Sequence, residues 1–384
     1  MLNEQWCAVR NILLVRLDNL GDVLLMTPAF HAVRCVLPDA RLTLLTSPVG
    51  AQIGELDPDI DEVIVYQAPW TDSWQRLAQD SVREQHMIEN LRSYHFDGAI
   101  IFTSFRQSAL PAAYLCYLAD IPLRAAASID GPGSLLTTRH KHPEGVLHEV
   151  ERGLDLVHAL GMTTTEHDLI LAVPEEAKRA VAERIAHVRG QLLIVVHPGC
   201  SMPARTYPWK MYAEVVNRIT AQLGAFVVLT GAKEEGELTA RMLANLNEEA
   251  RANTVTLAGE LTFPELCALI ETANLLITNN TGPMHIGAAV KTPTLALFAL
   301  TNRPEQWGPW QVPHRQLYHD VACKICYSRS CPYQHECLRL VSPQMVVDAA
   351  VDLLAEVNVP IGVSGTRTRE GGESVPGQQA KEIA

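Results

Sequence analysis

What most restricts the fold of this chain is a rhythm: short runs of β-branched and leucine residues alternate with longer helical patterns, the signature of repeated βαβ units. The first cycle places strands at 12–15, 42–45, 63–66 and 99–102. A loop at 17–22 leads into a helical run ending at Cys35. A helix over 148–160 stops before Gly161, and 169–173 reads as a strand leading into Pro174. The segment 175–188 reads as a charged, exposed helix. A second cycle has strands at 192–196, 226–229, 275–278 and 294–298, with helices over 211–223 and after Gly231. Thr262 and Glu265 form a capping box that opens a helix to about Ala273. Ser342-Pro343 opens a last helix to about Glu356, with Ser as cap and Pro in the first turn. The expectation is two α/β domains, 1–173 and 174–357, with a hinge near 172–190. A Gly-, Ser-, Glu- and Gln-rich tail over 358–384 is expected to be disordered.

With 384 residues, 47% of them hydrophobic, the chain has enough apolar material for two cores. Its net charge of -12 argues against wholesale nucleic-acid binding. No apolar run is long enough to span a bilayer, and Met1 to Arg10 does not read as a signal peptide, so a cytoplasmic protein is expected. Cys7, Cys35, Cys116, Cys200 and Cys267 are scattered and read as buried small hydrophobes in a reducing compartment.

Four turns that follow strands carry the chemistry, because open α/β sheets bind ligands at the carboxyl ends of their strands. Arg16-Leu-Asp-Asn-Leu-Gly21-Asp22 holds a single glycine, so neither the dinucleotide fingerprint nor the phosphate loop of kinases is present. Asp22 suits a general base for an acceptor hydroxyl; equally, Asp18 or Asp22 can serve as a helix cap. In the second cycle, His197-Pro-Gly-Cys-Ser201-Met-Pro-Ala-Arg205 is made rigid by Pro198, Pro203 and Pro208. Its amides and Arg205 suit a diphosphate, although an ordinary turn with a surface arginine has the same letters. Asn279-Asn280-Thr281-Gly282-Pro-Met-His285 offers a hydroxyl, close backbone approach and an imidazole at a helix start. Glu234 or Glu235 either bonds ribose hydroxyls or favours its own helix N-terminus.

Taken in order, Arg16-x4-Gly21-Asp22-Val23-x3-Thr27-Pro28, His197-Pro-Gly, Ala204-Arg-Thr-Tyr-Pro208 and Thr278-Asn-Asn-Thr-Gly-Pro-Met-His285-Ile-Gly-Ala-Ala289 resemble the motifs of glycosyltransferase family 9, the ADP-heptose heptosyltransferases. Pro58-Asp-Ile-Asp-Glu-Val63 and His148-x3-Arg152-x6-Ala159-Leu-Gly161 fit as well, and the resemblance runs over roughly residues 10–355. It implies a GT-B architecture, two Rossmann-like doubly wound domains facing a central cleft. The acceptor would sit on the first domain and an ADP-sugar mainly on the second. The reaction implied is inverting transfer without a catalytic metal or other cofactor, onto a glycan or glycolipid such as the lipopolysaccharide inner core. Nucleic acid is not an expected partner, and membrane contact is at most peripheral, at the inner face of the inner membrane.

By motif matching, Asp22 falls on the family's general base. Arg205 falls where the family usually has a phosphate-binding lysine, and Ser201 lies in the same loop. Glu234 or Glu235 lies near the ribose-binding acid and Leu261 near the adenine contact. Asn280, Thr281, Gly282 and His285 fall on the diphosphate and sugar loop. Asn280 departs from the family's usual Asp, and Ala299 from a common glycine. A different nucleotide-sugar donor, or a non-catalytic nucleotide-sugar-binding relative, is the rival reading. Asp57-Pro-Asp59 has the letters of a metal-binding pair but sits in a proline turn before a strand.

Two further features stand apart. Cys323, Cys326, Cys331 and Cys337 fall within fifteen positions, a set that suits a structural zinc or iron site, redox-sensitive pairs or unligated thiols, and some family members carry similar cysteines here. Arg139-His-Lys-His142 is locally basic in an acidic chain and reads either as a contact for an anionic acceptor or as a solvated loop.

Overall fold

A computed structural model describes residues 2–71, 76–188 and 190–360. Most of the expected tail, 361–384, lies outside the described residues. The chain divides into two compact units that part between Ala172 and Val173.

The first unit is built on six parallel strands: β1 (Asn11–Arg16), β2 (Arg41–Thr46), β3 (Glu62–Val65), β4 (Gly98–Ile101), β5 (Leu123–Ala127) and β6 (Thr138–His140). Their order is β3-β2-β1-β4-β5-β6. The second unit repeats the plan with β7 (Leu193–His197), β8 (Phe226–Leu229), β9 (Thr254–Thr256), β10 (Leu275–Asn279), β11 (Thr294–Leu297) and β12 (His314–Leu317), in the order β12-β11-β10-β7-β8-β9. Each sheet is doubly wound: strand order reverses between β1 and β4 in one and between β7 and β10 in the other.

The continuous apolar runs follow from burial of parallel strands on both faces. In the first sheet Leu13, Val15, Leu45, Ala99 and Ile101 share one core; in the second Ile194, Val196, Val227, Leu229, Ile277, Leu295 and Leu297 do. The helix Trp209–Leu223 packs Tyr212, Val215, Val216 and Ile219 onto the second sheet. Each such side chain contributes about 1.5–3 kcal/mol through its removal from water.

Several sequence expectations are corrected. The segment 169–173 is not a strand: Ile170 N–H is used by Thr27 Oγ1 at 2.9 Å and Ala172 N–H by Leu56 O at 2.8 Å, so it is pinned as an extended crossing without a ladder. The helical run to Cys35 is two helices, Leu20–Leu24 and Thr27–Val36, with Pro28 in the first turn of the second. Of the five scattered cysteines only Cys116 and Cys267 are buried; Cys7 and Cys35 are exposed and Cys200 is half-buried. The expected caps are present: Thr262 N–H donates to Glu265 Oε2 at 2.8 Å, and Ser342 Oγ accepts from Met345 N–H at 3.2 Å. Among the described residues no helix is long and apolar enough to cross a membrane.

Candidate active site

In both units several of the sequence-predicted residues sit at the reversal of strand order, where adjacent loops leave in opposite directions. In the first, Arg16 ends β1 and is 1% exposed. Its Nε donates to Asp18 Oδ1 at 2.6 Å, and its Nη2 donates to Asp22 Oδ1 at 3.2 Å and to Ser104 Oγ at 2.7 Å. Ser104, in the loop after β4, donates in turn to Asp18 Oδ2 at 2.8 Å. Asp22 sits in the first turn of Leu20–Leu24, where its Oδ2 accepts the backbone N–H and the side-chain amide of Asn19, both at 3.1 Å. Asp22 therefore does close the helix start, and the cap and base readings describe the same carboxylate. Its side chain keeps 11% of its surface exposed.

Electrostatics sharpen the site. Burial pushes the Asp18 carboxyl up to about 6 despite the Arg16 guanidinium, with the Asp22 charge adding to the rise. Fully buried Glu149 also faces Arg16 electrostatically and lies 3.2 Å from Arg152 Nε. One guanidinium thus stands among three carboxylates.

In the second unit Asn279, the last residue of β10, does the joining. Its Oδ1 accepts from Tyr207 N–H at 3.0 Å and Tyr212 O–H at 3.1 Å, while its Nδ2 donates to Pro198 O at 2.9 Å and Gly199 O at 3.2 Å. The loop after β7 is thereby fixed to the loop after β10. Gly199 lets the Glu235 carboxylate lie close: a Cβ there would stand 1.9 Å from Glu235 Oε1 and push that side chain aside. Glu235, whose Oε2 accepts Ala232 N–H at 2.8 Å, therefore lies directly over this loop, while Glu234 points to solvent. Burial raises the Glu235 pKa. Burial also pushes His197 down to about 4, so its 3.8 Å approach to Glu235 is a contact with a neutral imidazole above that pH. His197 Nδ1 meets Thr230 Oγ1 at 3.0 Å.

Arg205 ends the short 3-10 turn Pro203–Arg205, and its Nε donates to Thr301 Oγ1 at 3.0 Å. Ser201 is exposed in the bend before it. Thr281 is the N-cap of the helix Gly282–Ala289, with no hydrogen bond from its side chain to that helix, and His285 is buried in its first turn. Asn280 uses its amide to bridge loops. Its Nδ2 donates to Asn302 Oδ1 at 3.1 Å and Ala299 O at 3.4 Å, and its Oδ1 accepts from Ala299 N–H at 3.1 Å. An aspartate here would have no proton for those two acceptors; the amide ties the loop after β10 to the loop after β11. Leu261 is half-buried in the turn before Thr262, two residues beyond Gly259, whose N–H bonds Gly231 O at 2.9 Å.

The four clustered cysteines sit behind Arg205. Cys323, Cys326, Cys331 and Cys337 line one small pocket with Ala204, Leu300 and Thr301. Ile325 and Tyr327 donate to Leu300 O at 2.7 Å and Thr301 O at 2.8 Å, and Ala204 N–H bonds Arg329 O at 2.8 Å. Ile325, Tyr327, Gln334 and His335 have φ of 59°, 50°, 55° and 61°, a left-handed conformation that costs a β-branched residue most. Burial raises the Cys337 pKa, and the other three thiols add to the rise. The four thiols line the same pocket, but among the described residues their ligand atoms do not all lie within 4.8 Å of one another.

Sequence reasoning did not find Ser104, Glu149, Thr230, Thr301 or Asn302. Glu149 alone carried a signal, as the residue after the helix cap in the matched stretch 148–161.

Residues 85–337 match the profile described as glycosyltransferase family 9 (heptosyltransferase). The chain belongs to glycosyltransferase family 9. This family member is 26% identical over 358 residues to lipopolysaccharide heptosyltransferase 3 of Escherichia coli, covering 90% of this chain and 98% of that protein. It is 31% identical over 168 residues to lipooligosaccharide heptosyltransferase 2 of Campylobacter jejuni subsp. jejuni serotype O:2, a match that spans 43% of this chain and 52% of that protein. Its fold is shared with the solved E. coli ADP-heptose lipopolysaccharide heptosyltransferase II, with a TM-score of 0.73 at 21% identity, over 91% of this chain and 99% of that one. The GT-B type, two Rossmann-like domains, is thereby the fold of this chain.

Proposed function

We propose that this chain transfers a heptosyl group, or a closely similar sugar, from an ADP-sugar to a glycan or glycolipid acceptor such as the lipopolysaccharide inner core. The observation that carries the reading is the buried cluster of Arg16, Asp18, Asp22 and Ser104 at the strand reversal of the first unit. Family membership supplies the sugar class.

In this reading the acceptor hydroxyl gives its proton to Asp22 as its oxygen bonds to the anomeric carbon. The carbon–oxygen bond to the diphosphate breaks on the opposite face, so the configuration inverts and ADP leaves with the electron pair. Arg205, Thr281 and the Gly282 amide at a helix start stabilise the charge that develops on the leaving diphosphate. Glu235 is the better candidate for the ribose hydroxyls, because Glu234 faces solvent. Leu261 borders the base, and His285 and Ser201 complete the donor loops.

No metal is assigned to the transfer. Asp57 and Asp59 are buried; Asp59 Oδ2 is 2.8 Å from His31 Nδ1 and Asp57 Oδ1 accepts Asp59 N–H at 3.0 Å, so this pair is not presented to a diphosphate. A zinc or iron ion held by Cys323, Cys326, Cys331 and Cys337 would brace the segment that carries Arg205. The substrates place the enzyme on the cytoplasmic side, with at most peripheral contact at the inner face of the inner membrane.

The test is a transfer assay with ADP-, UDP- and GDP-sugars and a panel of glycan acceptors, reading nucleotide release and product mass. ADP-heptose should give the highest kcat/KM. Equal or better use of a UDP- or GDP-sugar would replace the proposed donor, and binding without turnover would favour a non-catalytic relative.

A further inference from the structure

The basic-looking stretch Arg139-His-Lys-His142 is not a uniform positive surface. Arg139 turns away and donates to Ser128 O at 2.9 Å and Ile129 O at 2.8 Å. Lys141 is exposed. His140 ends the edge strand β6 and His142 follows two residues later, so alternation puts both imidazoles on the same side. There they meet Asp155 of the helix Glu149–Ala159: His140 Nε2 and His142 Nδ1 lie 2.6 and 2.7 Å from the same oxygen, Asp155 Oδ2. The rings pack edge to face with centroids 5.2 Å apart.

We propose that His140, His142 and Asp155 form a binding site for a divalent transition-metal ion, zinc in the first instance, separate from both the transfer site and the cysteine cluster. Among the described residues these three offer ligand atoms that all lie within 4.8 Å of one another. Two imidazole nitrogens and one carboxylate oxygen are the donors that zinc takes, with the remaining positions left to water. Ligand atoms about 2.0–2.1 Å from a tetrahedral ion stand about 3.3 Å apart, so the two imidazole–Asp155 separations need to open by only about 0.7 Å. The side chains are 18%, 13% and 30% exposed, buried enough to be held in place and open enough for an ion to enter.

Charge favours the ion. Asp155 supplies an anionic ligand between the two imidazoles. Arg152, a cation that acts on His142, stands on the same helix as Asp155, with its Nε 3.2 Å from Glu149 Oε1 and its guanidinium over the Phe105 ring at 5.7 Å, and Glu149 and Asp155 both offset its charge. Bound metal would clip edge strand β6 to the helix behind it.

The experiment compares zinc titrations, by calorimetry and elemental analysis, of chelator-stripped full-length wild type with Asp155→Asn and His142→Ala. Asp155→Asn keeps the volume and leaves an oxygen to accept both imidazole hydrogen bonds, so its fold should survive; circular dichroism checks this. Wild type should bind one zinc per chain more than either variant, or bind that ion about 100-fold more tightly, a loss at the upper end of the about 10–100-fold typical of removing even an outer partner. Cobalt substituted at this position should lack the sulfur charge-transfer absorption of the cysteine site. Equal zinc uptake by wild type and both variants, or a cobalt spectrum that shows sulfur ligation alone, would overturn the site and leave Asp155 as a hydrogen-bond bridge.

Discussion

Ser104 Oγ lies 2.7 Å from Nη2 of Arg16, which joins the loop after β4 to the last residue of β1 across the reversal of strand order. Through this bond and its partner to Asp18 at 2.8 Å, a serine from a distant segment fixes the two acids that follow β1. The consequences are measurable.

The pH dependence of turnover should report Asp18. Its pKa, raised to about 6, makes it ionised above that pH and protonated below. Protonation removes one of the carboxylates that neutralise Arg16 and an acceptor of Ser104, so the network that holds Asp22 rearranges. Turnover should fall as pH drops through about 6. Asp18→Asn should remove that acidic limb and lower the plateau by roughly tenfold, the effect of about 1.4 kcal/mol on a barrier. A limb near pH 6 that persists in the variant would assign the titration elsewhere.

Arg205 tests the donor loop. Arg205→Ala should weaken ADP binding by about 1.5–3 kcal/mol, as for a lost hydrogen bond to a charged group. Thr301→Val, which removes the oxygen that Arg205 Nε bonds at 3.0 Å, should weaken it less. Calorimetry that finds ADP affinity unchanged in Arg205→Ala would remove the arginine from the phosphate site.

Asp57 should make stability fall with pH. Burial raises its pKa to about 7, well above its unfolded value. A raised pKa contributes stability fully present below the unfolded pKa and lost as pH rises through about 7. Asp57→Asn, which keeps an oxygen for the Asp59 amide, should raise Tm by about 2–4 °C at pH 8, as about 1 kcal/mol does in a unit this size. A smaller change is expected at pH 5, which lies nearer the lower end of the window between the unfolded value and about 7. Thermal melts showing equal effects at both pH values would contradict the buried carboxyl.

The cysteine segment should couple metal to the donor loop. Purified protein should carry about one zinc or iron in this segment, the stoichiometry of a four-thiolate site. Cys326→Ser with Cys331→Ser should lower Tm and weaken ADP binding, because Leu300, Thr301 and Ala204 are hydrogen-bonded to this segment beside Arg205. Chelator should leave the initial transfer rate unchanged. Four freely reactive thiols in a metal-free preparation would refute the site, and rapid chelator inhibition reversed by magnesium would refute metal-free transfer.

The sequence was most legible where burial acts on every residue. β1, β7, β8 and β10 were visible because parallel strands covered on both faces read as unbroken apolar runs. β5 (Leu-Arg-Ala-Ala-Ala) and the polar strands β6 and β12 were not, because alanine or half-buried charged residues carry no such signal. The site divides in the same way. Asp22, Arg205 and the Asn279–Gly282 turn follow strands and could be found locally, whereas Ser104 and Thr301 act on residues 88 and 96 positions away, a pairing only the topology creates. The partners of Asn280, Ala299 and Asn302, were invisible for the same reason: they come from the loop after β11.

Asp22 is the residue on which the account depends. The direct measurement is turnover of Asp22→Asn with ADP-heptose and a glycan acceptor, read as ADP release and product mass, alongside ADP affinity by calorimetry. Asn keeps the shape and can accept the Asn19 amide, so the helix start and donor binding should be preserved. Turnover should drop by about two to four orders of magnitude, the contribution of a general base, with ADP affinity unchanged. Wild-type turnover in Asp22→Asn would contradict the assignment.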